Sequence, residues 1–493
     1  MDLTVTIITV GYVAFIFTIG VLTSKKIHNT DDFLLAGRNV GWFFLACTLG
    51  ATVVGGGYSI GAVGQTYEMG ILMLVASMGG YLQFVFSGLV VAPKFRQARV
   101  YTVAGYMNHR FGAGPRTAAL VLSLLFSVFV IAAQMAAIGH VIAAMLPDLA
   151  ENENLIKWAV ILGGVIVIIY SAAGGLKAVI ITDVFQFLIL LAGFAVTALL
   201  VLPEVSLSFD ASLGRLPETF FNPTRHGGWI YMGSLFLTFL LGETFAPGYA
   251  TRFCAGKSKR DIQIGIGGVG ILLTLLMPVI VFLIAVYARL HFQDIPPDRA
   301  MAAVIQKLNH PVIAGVIIAA LISAVMSSAD SALNSTTAIF IKDIFEQYFS
   351  GIDLSDKKTL LLSRVLTVGL GVLAIVLAVL TPNVIKQLLF AYHVWAPGII
   401  VPILVGAVFK LKGPVVNRNL TITMIAGPVS ALLHRSIDYG DLTRGPVGAW
   451  DAMKLFAGKI DPAVIGVLIA AVLFILLTVV AGIRDRLKQS RAA

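Results

Sequence analysis

"LISAVMSSADSALNSTTAIF" (Leu321–Phe340) begins as an apolar membrane helix. It then places Ser327, Ser328, Asp330, Ser331, Asn334, Ser335, Thr336 and Thr337 where hydrocarbon should be. An ionised Asp at mid-membrane costs roughly 2.5–3.5 kcal/mol even on lenient insertion scales. Something must offset that cost. At helical spacing Ala324, Ser327, Ser328 and Ser331 form one stripe, with Asp330 beside Ser327 and Ser331. Hydroxyls, backbone carbonyls and a carboxylate are the oxygens a hard monovalent cation takes, and sodium is the natural candidate.

The rest of the chain supports a membrane setting. Of its 493 residues 58% are hydrophobic and 12% charged, against about 25% charged in a soluble domain. Thirteen apolar runs are long enough to cross: 5–23, 41–64, 70–92, 118–146, 157–174, 178–202, 228–250, 262–288, 311–341, 360–381, 385–409, 418–434 and 462–483. With the N-terminus outside, most of the 35 Lys and Arg fall on inside segments, and the acidic residues lean outside. That orientation predicts a multi-pass protein of the plasma (cell inner) membrane with the basic tail "RDRLKQSRAA" in the cytoplasm. The net charge of +10 is then a matter of topology, not of nucleic-acid binding. Residues 5–23 read as a retained span rather than a signal peptide, since no cleavage site of small residues follows them. Cys47 and Cys254 fall in an apolar span and a basic loop and predict no structural disulfide. No loop has room for a soluble catalytic domain. The partners implied are the lipid bilayer, a small solute and an ion; no obligate protein partner is evident.

Two spans carry helix-breaking composition. "GATVVGGGYSIGAVG" (50–64) is rich in glycine, and "LGETFAPGYATR" (241–252) contains Pro247 followed by Gly248. With the first span set aside, these are the first helices of spans 2–6 and of spans 7–11. Five helices inserted one way and five the other make an inverted repeat, and interrupted helices at matching places mark a transporter's binding site. Three carboxylates lie within or at the ends of spans: Asp183, Glu243 and Asp330. Intramembrane acids face a cavity or an ion path by default. The expected fold is an all-α polytopic membrane protein of 13 transmembrane helices. Its parts are an extra N-terminal helix (1–29), a first five-helix repeat (30–203), a second (204–410), and two C-terminal helices with the tail (411–493).

Four motifs resemble the sodium/solute symporter family. They are "TDDFLLAGR" (30–38), "GYMNHRFG" (105–112), "GGLKAVIITDVFQ" (174–186) and "SAVMSSADSALNS" (323–335), in the family's order and at its separations. The resemblance implies the five-plus-five, LeuT-type core and sodium as coupling ion. It places a sodium site on the carbonyls of Ala51, Val54 and Ala324 and the hydroxyls of Ser327 and Ser328. Some members hold a second sodium at positions matching Asp183, Ser327, Asp330 and Ser331; Asp330 stands where those members carry a serine. "VVGGGY" with "SSADS" looks most like the choline-transporter branch, which carries a tryptophan in the seventh span where Ala246 aligns here. Gly57, Tyr58, Gln134, Glu243, Phe245, Tyr249, Tyr392 and Trp395 are the candidates for the solute pocket, whose aromatic members suit a cation.

The implied function is symport of a small organic solute, cationic or zwitterionic, by alternating access. No group is turned over chemically, so the chain reads as no enzyme. Proton-coupled symport and a transporter-like solute sensor stay open as alternatives. "GYSIG" (57–61) fits a serine-nucleophile pattern, but it lies in a Gly-rich membrane helix rather than after a strand, which leaves an intramembrane serine hydrolase as a remote rival. "GIGGVG" (265–270) opens no strand–helix unit and reads as helix packing.

Overall fold

The computed structural model describes residues 3–25, 27, 29–145, 153–207, 216, 220–224, 227–308, 310–349, 355–381, 383–409, 411–437 and 458–492. Among these residues the structure is helical, apart from one isolated β-bridge between Val40 and Gly256. In chain order the helices are α1 (Leu3–Ser24), α2 (Thr30–Leu35), α3 (Trp42–Val53), α4 (Gly57–Met69), α5 (Ile71–Gln97), α6 (Val103–Phe111), α7 (Ala113–Met145) and α8 (Glu153–Leu207). They continue as α9 (Gly228–Gly242), α10 (Pro247–Ala255), α11 (Lys259–His291), α12 (Ala300–Leu308), α13 (Pro311–Tyr348), α14 (Asp356–Leu380), α15 (Val384–Phe409), α16 (Pro414–Ser436) and α17 (Pro462–Ala492). Among the described residues nine helices are long and apolar enough to cross a membrane, or up to 11 if each of two bent pairs is one span.

Among the described residues the predicted apolar runs fall on these helices, 41–64 and 228–250 each on a pair of them, and the differences are instructive. The runs 157–174 and 178–202 share the 55-residue α8. A straight helix of that length would reach about 80 Å, against a hydrocarbon core of about 30 Å. It is broken at Gly175 (φ 53°), between the two runs. The polar segment 65–69 continues α4 as helix, with Thr66 Oγ1 donating back to Ala62 O at 2.7 Å. The stop comes at Gly70 (φ 60°), where a Cβ would lie 2.1 Å from Phe220 O. Only glycine fits both that backbone and that approach.

The bent pairs are the two segments with helix-breaking composition. α3 and α4 meet at 63°, and α9 and α10 at 50°. Phe245, in the second break, has φ 64°, a strained conformation for a residue with a side chain.

α13 occupies the centre. From Ser323 to Ile339 every residue of it is buried, packed among α1, α3, α7, α8, α10 and α14. The polar stretch therefore faces protein, not lipid. The periphery is apolar instead: α14 exposes Leu361, Val365 and Val372, and α17 exposes Leu468, Val472 and Ile475. α1 belongs to the packed body, since Ser323 Oγ on α13 donates to Tyr12 Oη at 2.5 Å.

Candidate functional site

α3 ends at Val53 and α4 begins at Gly57, so the last carbonyls of α3 have no following turn to donate to them. α13 comes up to this break. Ser328 Oγ donates to Thr52 O at 2.6 Å and lies 3.1 Å from Ala324 O. Gly55 permits the approach, because a Cβ there would stand 2.2 Å from Ser328 Oγ. Ala51, Val54 and Ala324 are fully buried at the same junction. Ser328, Ala324 and the α3 break are thus brought together. The Ser327 hydroxyl turns the other way and donates to Asp183 Oδ1 at 2.6 Å.

Asp183, on α8, sits at the centre of a second buried cluster. Thr48 Oγ1 donates to its Oδ2, and Arg252 Nη2 lies 3.1 Å from the same oxygen, both side chains wholly buried. Arg252 belongs to α10. Its Nη2 also donates to Ser331 Oγ (2.6 Å), its Nη1 to Gly248 O (2.9 Å) and its Nε to Thr48 Oγ1 (2.9 Å). Thr52 Oγ1 and Ser331 Oγ are 2.9 Å apart. Asp330 stands outside this cluster: Ser171 donates to its Oδ1, while its buried Oδ2 has no hydrogen-bond partner among the described residues.

Arg252 and Thr48 are functional candidates that sequence reasoning missed. Arg252 lies just past the predicted end of the seventh span and counts there as one more basic loop residue. The signal was present, though: α10 carries it one helical turn beyond Gly248, on the face that meets α3 and α13.

Beside these clusters lies a small cavity of about 40 Å³, with Gly57, Tyr58, Gln134, Glu243 and Tyr249 in its wall. Ser127 and Ser335 join them, unforeseen from sequence. Glu243 is buried at the break between α9 and α10 and accepts hydrogen bonds from Tyr249 Oη and Tyr392 Oη, each at 2.5 Å. Among the described residues no basic side chain pairs with it. Gln134 Oε1 instead accepts from Gly56 N at 2.9 Å, holding the other break. Tyr392 lines a larger cavity of about 230 Å³ that shares Gly57, Tyr58 and Leu388 with the first. Phe245 and Trp395 line neither. Trp395 is fully buried and donates from Nε1 to Thr244 O at 2.9 Å, bracing the second break from behind.

Ser59, the serine of "GYSIG", is buried in the first turn of α4 and donates to Gly55 O at 2.7 Å. Gly265, in "GIGGVG", lets α11 approach α3, since a Cβ there would be 2.6 Å from Trp42 O.

Known proteins resemble this chain in sequence and in fold. The sodium-coupled monocarboxylate transporter 1 of Homo sapiens is 28% identical over 375 residues, 72% of this chain and 60% of that protein. The osmoregulated proline transporter OpuE of Bacillus subtilis is 27% identical over 398 residues, 76% of this chain and 78% of that one. The solved substrate-bound, outward-open state of a Na+-coupled sialic acid symporter superposes with a TM-score of 0.79. It shares 19% identity and covers 97% of this chain and 98% of that one, a likeness of fold. The family model described as "Sodium:solute symporter family" matches residues 33–413. The chain belongs to the sodium:solute symporter family, with sodium as its coupling ion.

Proposed function

We propose that this symporter carries a small cationic or zwitterionic organic solute, such as an amino acid or a quaternary amine, by alternating access. Sodium binds where the carbonyls of Ala51 and Val54, at the end of α3, meet Ala324 O and the Ser328 hydroxyl, and the Ser327 hydroxyl rotates from Asp183 Oδ1 to join them. Its binding joins the broken span to α13 and favours the outward-facing state. Solute then fills the neighbouring cavity and closes it from outside, and both leave inward. In this reading the bilayer is crossed thirteen times, N-terminus outside. α8 and each bent pair supply repeat helices in two inverted sets of five, over 30–203 and 204–410.

The observation that carries the solute class is Glu243. Its carboxylate lies in the cavity wall with two phenols for partners and no counter-cation among the described residues. An anionic solute would meet an unpaired like charge away from water, whereas an amine would offset it. The named solutes of the relatives differ on this point: proline is a zwitterion and monocarboxylates are anions. Thermal-shift titrations with proline, choline and lactate, each in sodium and in potassium, test the class. Glu243→Gln keeps the shape and removes the charge; it should weaken an amine-bearing ligand at least about tenfold, or 1.4 kcal/mol, while sodium dependence persists. Undiminished affinity in Glu243→Gln, or stabilisation by lactate alone, would refute the solute class.

A further inference from the structure

We propose that Arg252 is a tethered cation standing in the place of a second coupling ion, so that the protein carries one sodium per cycle. The inference deepens the sodium reading of the Ser327–Ser328 site and rests on it.

The family resemblance marks Asp183, Ser327, Asp330 and Ser331 for a second sodium. In the fold Asp183 and Ser331 converge on the Arg252 guanidinium, with Thr48 as a further oxygen, and Ser327 Oγ donates to Asp183 Oδ1. A sodium ion wants just such a set: one carboxylate and neutral hydroxyls. Here the positive charge they surround is part of the chain. Arg252 and Asp183 are both wholly buried, so their charges cancel at a site with no solvent to screen them. A sodium ion added beside the guanidinium would meet a like charge in a low-dielectric interior, and the carboxylate would have to serve both. Arg252 is also held in position from its own helix. Nη1 donates to Gly248 O one turn back, which leaves the rest of the fork free for α3, α8 and α13. Unlike an ion, the guanidinium cannot leave to either side of the membrane.

The test is a count of sodium ions bound per chain, made with radioactive sodium on the purified full-length protein in detergent. The wild type should bind one. Arg252→Ser exposes the Asp183 oxygens to the ion and should bind two. Arg252→Lys keeps a tethered charge and should bind one, as should the uncharged pair Asp183→Asn/Arg252→Gln. A wild type that binds two overturns the role of Arg252, and so does a folded Arg252→Ser that binds one. Should Arg252→Ser fail to fold, the wild-type count still decides. Failure of the underlying sodium reading looks different: the wild type would bind no sodium at all.

Discussion

Breaking the Asp183–Arg252 pair should destabilise the fold far more from one side than from both. Asp183→Asn leaves a wholly buried guanidinium with two hydroxyls and one carbonyl as its acceptors and no negative charge. Removing one partner of a buried, hydrogen-bonded pair costs about 3–5 kcal/mol, while replacing both by neutral groups costs little. For a chain of 493 residues, an unfolding entropy of roughly 2.1 cal/mol/K per residue gives about 1 kcal/mol per degree. Asp183→Asn should therefore lower the melting temperature by about 3–5 °C. Arg252→Gln should do the same in sodium-free, potassium-based buffer, and Asp183→Asn/Arg252→Gln should recover at least half of the loss. Thermal unfolding in detergent, followed by intrinsic fluorescence, measures all four corners of the cycle. Singles as stable as the wild type, or a double mutant whose loss is the sum of the singles, would mean that the two charges do not sustain each other.

Two further predictions concern ion affinity and orientation. Ser328→Ala removes the hydroxyl that touches the α3 break, and Ser327→Ala removes its neighbour; each should raise the sodium concentration for half-maximal thermal stabilisation at least about fivefold, or 1 kcal/mol. Unchanged sodium dependence in both would take this stretch out of the ion site. Single cysteines placed at exposed positions of 94–116 and 257–261 should be protected from an impermeant thiol reagent in intact cells, while those in 146–156 and 203–227, loops lying largely outside the described residues, should react. The native background is low because Cys47 and Cys254 are both buried; the reverse pattern would invert the topology.

Sequence spoke clearly where hydrophobicity and backbone chemistry act locally. The glycines at 55–57 and the Pro247–Gly248 pair announced both bends, because they act through backbone freedom and a missing donor, whatever packs around them. The polar run on α13 announced a buried interior for the same kind of reason, since no lipid-facing helix sustains it. What stayed hidden depends on reach across the fold. Arg252 has the composition of a cytoplasmic loop residue, and only the continuation of α10 to Ala255 carries it inside. Phe245 and Trp395 have the aromatic character of a pocket wall. Neither lines the cavity: Phe245 is buried at the strained turn itself, and Trp395 donates to Thr244 O. Asp330 lies beside the ion stripe by helical position, yet its carboxylate finds Ser171 on α8.

Both broken spans end up fastened to about one turn of α13, Ser328 to Ser331, and by chemically different means. α10 is fastened by Arg252, whose donation to Ser331 is covalently attached to the half-helix it holds. α3 is fastened by Ser328 on Thr52 O and, in the proposed cycle, by a sodium ion among the same oxygens. Only the second fastening responds to the ion gradient. A tenfold sodium gradient supplies about 1.4 kcal/mol and 100 mV about 2.3 kcal/mol more per charge, so one ion per cycle sustains roughly 500-fold accumulation of a neutral or zwitterionic solute. A second ion would square that limit. By filling the second place with a charge that never dissociates, the chain would keep the lower limit and a cycle that needs a single ion to complete. That exchange suits a solute met at concentrations where 500-fold is enough, and it makes the sodium count a statement about the solute's abundance as well as about the site.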